Sequence, residues 1–265
     1  MSNRVTIEKE DHVAVVTFNR PEKMNALDNE QFLAIIAAGL EVSKDASVRA
    51  VVLRGEGRAF CAGIDISGFQ TNGQVTQGSI IDRTHGIANK WQAAPWVWRT
   101  CPVPVIAAVH GVAFGGGLQI MLGADIKYVA PDTKLSVMEM KWGLVPDMAG
   151  PVLMRHNVRD DIIRELTYTN RIFSGTQAVE YGFATHVSVD PFADAMSLAH
   201  EIAAKSPTAV VRAKKMFNKM PYLSDEEGLM MESVEQDALM YKKNQMEAVF
   251  ASMQKRAGQF EDFRE

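Results

Sequence analysis

Two glycine-containing turns, each preceded by a short apolar segment, place the strongest constraint on how this chain can fold. Residues 48–54 precede the turn at 60–65, and residues 103–109 precede the turn at 111–117. Short apolar segments of this kind are typical of buried strands. The second turn ends in three glycines before the apolar segment 118–122, so its amides should lie at a helix N-terminus, where partial positive charge stabilises an oxyanion. The sequence therefore predicts that two strand ends form one anion site.

Two other types of glycine loop are excluded by the residues around the triplet. A Walker loop requires Lys followed by Ser or Thr after its last glycine, and this chain has Leu118-Gln119 there. A dinucleotide fingerprint requires Gly-x-Gly-x-x-Gly after the first strand, and that pattern is absent from the sequence. A tight turn with close helix packing is the simplest structural alternative.

Composition and charge narrow the class of protein. The 265-residue chain is 47% hydrophobic, which is enough for a large core in one or two domains. A formal net charge of −4 disfavours an extended nucleic-acid surface. One local basic patch could still contact phosphate, although solvated helix surface is the simpler interpretation; it comprises Arg212, Lys214, Lys215 and Lys219.

Cysteine usage and hydropathy indicate the compartment. Cys61 and Cys101 both lie beside apolar segments, so we predict buried, reduced thiols and a cytoplasmic protein. No segment approaches the ~20 apolar residues of a membrane span. We expect a soluble protein without a targeting segment.

Strand and helix patterns alternate in the first part of the chain, which predicts an α/β fold. Residues 13–18, 128–130 and 134–137 have the character of short strands. Asp28 and Gln31 form a capping-box pattern that opens a helix. The predicted apolar face of this helix comprises Phe32, Ile35, Ile36 and Leu40.

The remaining segments suggest a loop and a helical tail. Residues from about 67 to 90 are rich in Gly, Gln, Thr and Asn, which predicts a mobile loop over a site. After about residue 190, helical patterns are broken at Ser206-Pro207 and at Pro221. We therefore predict a core at residues 1–190 and a C-terminal helical module at residues 191–265.

A series of landmarks extends over nearly the whole chain in a specific order. They are residues 18–27, 60–66 and 104–117, then Ala124-Asp125-Ile126, residues 143–146 and Lys255-Arg256. With these landmarks the chain resembles the crotonase superfamily, the enoyl-CoA hydratase and isomerase family. The resemblance implies an α/β spiral of β-β-α turns with a C-terminal helical trimerisation module, and an assembly that is a homotrimer or hexamer.

The resemblance also implies an acyl-CoA thioester substrate and a site to bind it. The backbone amides of Ile64 and Gly116 match an oxyanion hole, in which two N–H groups stabilise an enolate. No separate cofactor and no metal are implied, because coenzyme A is part of the substrate. Substrate-binding positions implied by the resemblance, or placed beside the site, are Ala62, Asp65, Ile66, Gln119, Trp142, Lys23 and, from a neighbouring subunit, Lys255.

Two acids are candidates for proton transfer. Glu139 lies among apolar residues, which would raise its pKa toward a useful range for a general base, although a solvent-exposed acid at a strand end is an equally simple interpretation. By resemblance, Glu139 matches the second catalytic glutamate of hydratases and the single glutamate of 3,2-enoyl-CoA isomerases. Asp147 matches an acid that dienoyl-CoA isomerases use.

Gln119 departs from the pattern of the family. Hydratases carry glutamate at this position and dienoyl-CoA isomerases carry aspartate, whereas a carboxamide holds water but does not exchange protons near neutral pH. Isomerisation needs one base, so Glu139 could suffice, and Asp147 could supply a distal proton or position a water. We therefore predict an isomerase before a hydratase.

Other functions within the resemblance stay open. A noncatalytic acyl-CoA-binding paralogue would retain the glycine turns but lack turnover, and an RNA-binding role is disfavoured by the acidic balance. Hydrolases, dehalogenases and decarboxylases of the same fold also use the oxyanion hole. His85 lies in the region where dehalogenases carry a histidine, but no convincing motif surrounds it.

Overall fold

The computed structural model describes residues 3–67 and 80–263. Within these ranges the strands are β1 Val5–Glu10, β2 Val13–Phe18, β3 Ala50–Gly55, β4 Val105–Val109, β5 Val112–Phe114, β6 Ile126–Val129, β7 Lys134–Ser136, β8 Phe173–Ser174 and β9 His186–Val187. The α-helices are α1 Asn29–Lys44, α2 Lys90–Thr100, α3 Gly116–Gly123, α4 Gly150–Met154, α5 Asp160–Thr169, α6 Gly175–Tyr181, α7 Pro191–Ala203, α8 Pro207–Lys219, α9 Asp225–Asp237 and α10 Lys243–Met253. The predicted loop at 67–90 falls partly on residues 68–79, which lie outside the described residues.

The larger sheet has the order β1-β2-β3-β4-β6-β9. Only the β1–β2 pair is antiparallel among these described strands, and the other neighbours run parallel. The central strands β3 and β4 are buried along almost their whole length. Continuous apolar sequence is what a parallel strand with both faces covered requires, which explains why these two segments lack a strict apolar-polar alternation.

The smaller sheet, β5-β7-β8, shows how the chain repeats one local unit. After β4 in the large sheet, the chain enters β5 in the small sheet and then α3. It returns to the large sheet as β6 beside β4, and to the small sheet as β7 beside β5. This succession confirms the predicted spiral of β-β-α turns, and it brings the ends of β3 and β4 to the same edge.

The core has two parts, one on each face of the larger sheet. Alternate residues such as Val51 and Val105 face the main core with α1, α2 and α3. Val52 and Ile106 face the opposite side, where they pack against α7. The proposed boundary at residue 190 falls immediately before α7, but this helix packs on the sheet, and α8, α9 and α10 lie beyond it.

Several local predictions can be compared directly with the structure. The strand predicted at 13–18 is β2, and the helix break predicted at Ser206-Pro207 is the start of α8. Asp28 caps α1 by accepting from the Gln31 backbone N–H at 2.8 Å. The predicted capping box is half formed, because the Gln31 side chain donates to the Arg4 carbonyl oxygen instead. Leu40, expected on the buried face of α1, is 47% exposed.

Two predictions about side chains have different outcomes. Cys61 and Cys101 are both buried free thiols, as predicted. Lys214, assigned to a basic surface patch, is buried and donates to the Asp125 carboxylate at 2.6 Å. The patch prediction was therefore wrong at this residue, because its Nζ also binds the Val103 carbonyl oxygen just before β4. No helix in the described ranges combines the length and apolar character needed to cross a bilayer.

Candidate active site

A cavity of about 590 Å³ opens between the two glycine-containing turns. One side consists of the first turn and the segment that precedes α1, and the opposite side consists of the start of α3 and the short 3₁₀ helix Glu139–Trp142. The lining residues are Glu22, Lys23, Met24, Ala26, Ala62, Gly63, Ile64, Asp65, Ile66, Phe114, Gly115, Gly116, Met138, Glu139, Lys141, Trp142, Leu144 and Ile172.

The two turns run side by side because their backbones pair. The Cys61 N–H donates to the Val112 carbonyl oxygen at 3.1 Å, and the Phe114 N–H donates to the Cys61 carbonyl oxygen at 3.1 Å. Gly63 has a positive φ of 85°, and a Cβ there would lie 2.6 Å from the Phe114 carbonyl oxygen. Only glycine permits this approach without distortion, so the glycine of the first turn is required for contact with the second.

The amides of Ile64 and Gly116 are left without acceptors by this pairing. The neighbouring amide of Asp65 donates to the Leu27 carbonyl oxygen, and that of Gly115 donates to the Ser136 carbonyl oxygen, both at 3.0 Å. Within the described part of the chain, neither Ile64 nor Gly116 donates a hydrogen bond from its backbone. Gly116 is the first residue of α3, where an N–H has no partner within the helix and carries partial positive charge.

The first turn is fastened to the preceding segment by an ion-pair network. The Arg20 guanidinium lies 2.8 Å from an Asp65 carboxylate oxygen and 3.3 Å from an Asp28 carboxylate oxygen. It also donates to the Ala26 carbonyl oxygen at 2.9 Å. The Ser67 hydroxyl, which donates to Asp65 at 2.6 Å, and Arg20 together hold the pKa of Asp65 below its usual range. Asp65 is thus an anchor of the turn.

Glu139 is the buried carboxyl group among the described residues that line the cavity. The residue is only 8% exposed, and its Oε1 accepts from Gln119 Nε2 at 2.6 Å. Burial raises the pKa of Glu139, and the nearby Asp147 carboxylate raises it further. Gly115, with a positive φ of 49°, borders this carboxyl, and a Cβ there would lie 3.1 Å from Oε1. The second glycine turn therefore leaves room for the acid.

Gln119 is a residue of α3 that contacts Glu139, and it is only 1% exposed. Its Oε1 accepts two backbone hydrogen bonds, from Met148 and from Gly150, both at 2.9 Å. The side chain therefore links α3 to Glu139 on one side and to the segment that opens α4 on the other.

A family model described as enoyl-CoA hydratase/isomerase matches residues 8–263. The chain belongs to the enoyl-CoA hydratase/isomerase family.

The names of individual relatives include isomerase and hydratase activities. The chain is 34% identical over 221 residues to the human mitochondrial Delta(3,5)-Delta(2,4)-dienoyl-CoA isomerase, covering 80% of this chain and 67% of that protein. The mouse counterpart is 32% identical over 211 residues, and the match covers 64% of its length, so the chain spans about two thirds of these mammalian relatives. A putative enoyl-CoA hydratase/isomerase of Bacillus subtilis is 30% identical over 254 residues, 94% of each chain.

Solved structures confirm the crotonase fold. A putative enoyl-CoA hydratase from Streptomyces coelicolor superposes with a TM-score of 0.88 at 27% identity, over 98% of this chain and 94% of that chain. An enoyl-CoA hydratase from Mycobacterium smegmatis superposes with a TM-score of 0.84 at 26% identity, over 97% and 98% of the two chains. These members of the family share the spiral and its helical tail.

The structure places most of the predicted site residues around one cavity. Those that line it are Lys23, Ala62, Ile64, Asp65, Ile66, Gly116, Glu139 and Trp142. Gln119, Asp147 and Lys255 are not among the lining residues that the structure describes. Asp147 is an exposed residue, yet the protein around its carboxyl desolvates it enough to raise its pKa.

Sequence reasoning missed two groups of site residues. Met138, Leu144 and Ile172 form part of the apolar wall, and only the apolar character of the 143–146 turn, where Leu144 stays exposed, hinted at this. Arg20 and Asn25 support the first turn. No local pattern revealed this role, because the partners that link them to the turn and to the loop after β3 lie more than thirty positions along the chain.

Proposed function

We propose that this member of the family moves a double bond in an enoyl-CoA thioester from the β,γ to the α,β position, with Glu139 as the single proton carrier. The observation that carries the proposal is the pair formed by Glu139 and Gln119. The buried carboxyl that lines the cavity has a carboxamide as its side-chain neighbour, and a carboxamide does not exchange protons near neutral pH. Of the three carboxyls among the described lining residues, Asp65 is ion-paired with Arg20 and Glu22 is exposed. Glu139 is therefore the one suited to proton transfer, whereas hydration requires two such groups.

The oxyanion hole stabilises the charge that develops during the reaction. We place the thioester carbonyl oxygen between the amides of Ile64 and Gly116, which have no other acceptor in the described structure. When the α proton leaves, negative charge moves onto this oxygen. Donors fixed in advance in a site that excludes water are effective at this step, and the loss of one in other enzymes costs roughly 3 kcal/mol of barrier.

One carboxyl group can complete the proton transfer. Ionised Glu139 removes a proton from C2, and the electron pair is delocalised over the carbonyl oxygen, C2 and C4. The protonated carboxyl then returns the proton to C4, so that the double bond lies between C2 and C3. No water is consumed, and the raised pKa of Glu139 makes it a stronger base than an ordinary carboxylate.

The cavity has distinct regions for the two parts of the substrate. We place coenzyme A along the first glycine turn, beside Ala62, Asp65 and Ile66, with its phosphates near Lys23 and near Lys255 of a neighbouring subunit. The acyl group then contacts the opposite wall. That apolar wall comprises Met138, Trp142, Leu144 and Ile172.

A dienoyl-CoA substrate is a second candidate. The mammalian relatives are named dienoyl-CoA isomerases, and Asp147 is close enough to influence the pKa of Glu139 electrostatically. A second acid near the far end of the conjugated system could handle the distal proton of a dienoyl shift. Asp147 does not line the cavity, so this function requires substrate to reach beyond Glu139.

Product analysis distinguishes these functions. Purified protein is incubated with 3-hexenoyl-CoA, 2-hexenoyl-CoA and a 3,5-dienoyl-CoA, and the products are separated by chromatography and identified by mass spectrometry. We expect wild type and Asp147→Asn to convert 3-hexenoyl-CoA to 2-hexenoyl-CoA, and Glu139→Gln to lose this activity. Loss of only the dienoyl reaction in Asp147→Asn would support the second candidate.

Two other results would overturn the proposal. Rapid formation of 3-hydroxyhexanoyl-CoA from 2-hexenoyl-CoA would identify a hydratase despite Gln119. Binding of all three thioesters without any turnover would favour a noncatalytic acyl-CoA-binding protein.

A further inference from the structure

The Gln119 side chain has one orientation that satisfies its neighbours. The backbone N–H groups of Met148 and Gly150 are donors only, and both point at the same atom of the Gln119 amide at 2.9 Å. That atom must be the carbonyl oxygen, since an amide nitrogen cannot accept them. The amide nitrogen is therefore directed at Glu139, which it contacts at 2.6 Å.

The two oxygens of Glu139 consequently differ. Oε1 accepts the Gln119 hydrogen bond and adjoins Gly115. Oε2 is buried and has no hydrogen-bond partner among the described residues. A buried polar atom without a partner is costly in a folded protein and is commonly associated with a functional role.

We propose that Gln119 is a positioning residue that holds Oε1 of Glu139 and so leaves Oε2 as the oxygen that both removes and returns the substrate proton. This inference rests on the proposed function for its chemistry, but the arrangement itself is independent of turnover. Gln119 Nε2 offers Oε1 a donor and no acceptor, so a proton on Oε1 would have no partner on that side, which favours the carboxylic acid with its proton on Oε2.

The same arrangement restricts the path of the proton. Gln119 cannot pass a proton onward, because its nitrogen donates to Glu139 and its oxygen already accepts two backbone donors. The proton taken from C2 therefore stays on Oε2 until it is delivered to C4 or exchanges with a water that enters the cavity. The predicted outcome is that part of the substrate's own hydrogen is transferred within the substrate.

Gln119 also sets the position of the segment that carries Asp147. Its side-chain carbonyl oxygen accepts from the backbone amide of Met148, which follows Asp147, and from that of Gly150, the first residue of α4. Replacement of Gln119 therefore changes the surroundings of Glu139 from two directions, through the lost donor and through this released segment.

The first experiment does not depend on activity. The pKa of Glu139 is measured by carboxyl ¹³C NMR in wild type, Gln119→Met and the control Gln177→Leu, with the resonance assigned by its loss in Glu139→Gln. The Gln119 hydrogen bond favours the ionised carboxylate, so we expect a higher pKa in Gln119→Met. We expect wild-type behaviour in Gln177→Leu, which loses a capping interaction on α6 outside the site. Because displacement of Asp147 would lower the pKa of Glu139, the same comparison is made in an Asp147→Asn background. An unchanged pKa on adding Gln119→Met in that background would overturn the proposal.

The second experiment follows the reaction of 3-hexenoyl-CoA. We expect Gln119→Met to lower kcat by about 10²-fold, as misplacement of a catalytic group does, with KM within about threefold and the acidic limb of kcat/KM shifted to higher pH. We expect Gln119→Glu to recover most of kcat in the pH range where the introduced carboxyl group and Glu139 share one proton, and to acquire a basic limb above it. Equal losses in Gln119→Met and Gln177→Leu without a shift in pH profile would indicate a merely structural role.

The third experiment tests the single-oxygen path. Substrate with two deuterium atoms at C2 should yield 2-hexenoyl-CoA in which a fraction of the label has moved to C4, measured by mass spectrometry at low conversion. Each turnover leaves one deuterium at C2, so a wild-type product without any deuterium at C4 at the earliest times would contradict direct return of the proton from Oε2. If wild type shows no isomerisation, the proposed function fails, whereas the NMR result still decides the role of Gln119.

Discussion

At the level of single residues, Arg20 and Asn25 hold the first turn in place, and with it the backbone amide of Ile64. Arg20 joins the carboxylates of Asp28 and Asp65 across the first turn. Asn25, in the left-handed region with φ 55°, accepts from the Arg20 N–H and donates to the carbonyl oxygens of two residues in the loop after β3. The Ile64 amide, which we propose as an oxyanion donor, is therefore positioned by side chains that do not line the cavity.

Removal of the Arg20 charge should destabilise the fold. Arg20→Met leaves the Asp65 carboxylate, only 12% exposed at its side chain, without its cation. Loss of one partner from a buried ion pair costs about 3 kcal/mol or more, which urea unfolding monitored by circular dichroism can measure. The matched control Arg164→Met removes an exposed pair with Asp160 and should cost less than about 1 kcal/mol. Equal effects of the two variants would show that the network does not stabilise the turn.

Asp147 should tune the base without being essential for isomerisation. Its negative charge disfavours ionisation of Glu139 and so raises the pKa of Glu139. Because Glu139 must be ionised to accept a proton, Asp147→Asn should lower that pKa and move the acidic limb of kcat/KM for 3-hexenoyl-CoA to lower pH. Asp132→Asn, on the exposed surface, should leave the limb unchanged. A shift to higher pH in Asp147→Asn would contradict the electrostatic argument.

At the level of elements, α7 packs closely against the larger sheet, and its buried contact residues are alanines. Ala195, Ala199 and Ala203 are almost completely buried and face Val52 and Ile106. Small side chains at this spacing allow a helix to approach a sheet closely, and the interior there has no room for extra methylene groups. This contact is what makes α7 part of the core and separates it from the outer helices.

A larger residue at this contact should be tolerated poorly. Ala199→Leu should lower the free energy of unfolding by about 1–3 kcal/mol through overpacking, measured in urea. Ala193→Leu places the same side chain on the exposed face of the same helix and should change stability by less than about 0.5 kcal/mol. Indistinguishable midpoints for the two variants would refute close packing of α7.

The elements were predictable where local chemistry decides them. Apolar segments predicted β2, β3 and β4, and Ser206-Pro207 predicted the start of α8. Predictions from local sequence patterns were wrong where a distant partner competes. The Gln31 side chain, for example, donates to the Arg4 carbonyl oxygen instead of completing the capping box. The burial of Lys214 likewise could not be predicted from its basic neighbours in sequence, because its partner Asp125 lies 89 positions away.

At the level of the whole molecule, the outer helices α8, α9 and α10 carry large apolar side chains that are exposed in a single subunit. They include Phe217, Leu229, Met230 and Met253, and Tyr241 lies in the connection between α9 and α10; each of the five is at least 64% exposed. Concentrations of this kind are typical of surfaces that associate. The C-terminal helices are therefore the part of the molecule where we expect subunits to meet.

We predict an oligomer whose mass is three or six times 29.3 kDa. Light scattering after size-exclusion chromatography measures this mass directly. A double change, Leu229→Glu with Met230→Glu, should shift the protein toward smaller species because it places charges in the expected contact. The control Glu226→Gln, at the start of the same helix, should not. A wild-type protein that elutes as a monomer at all concentrations would contradict the prediction.

The site was predictable as far as its motifs are continuous in sequence. The glycine turns and the two unpaired amides could be named beforehand because they lie at landmarks of the family, and Glu139 could be named because it matches a catalytic position of the family. The pairing of Gln119 with Glu139 and with the amides of Met148 and Gly150 could not, because its partners are 20 to 31 positions away and only the fold brings them together. That pairing carries the proposed mechanism, so the sequence alone suggested a reaction without explaining how the proposed base is held.

The most direct test of Glu139 as the proton carrier is a comparison of wild type with Glu139→Gln, using 3-hexenoyl-CoA for turnover and butyryl-CoA for binding. We expect kcat to fall by roughly 10³-fold or more, as loss of a general base does, while Kd for butyryl-CoA measured by calorimetry stays within about threefold. Retention of kcat within tenfold of wild type would contradict the central role of Glu139.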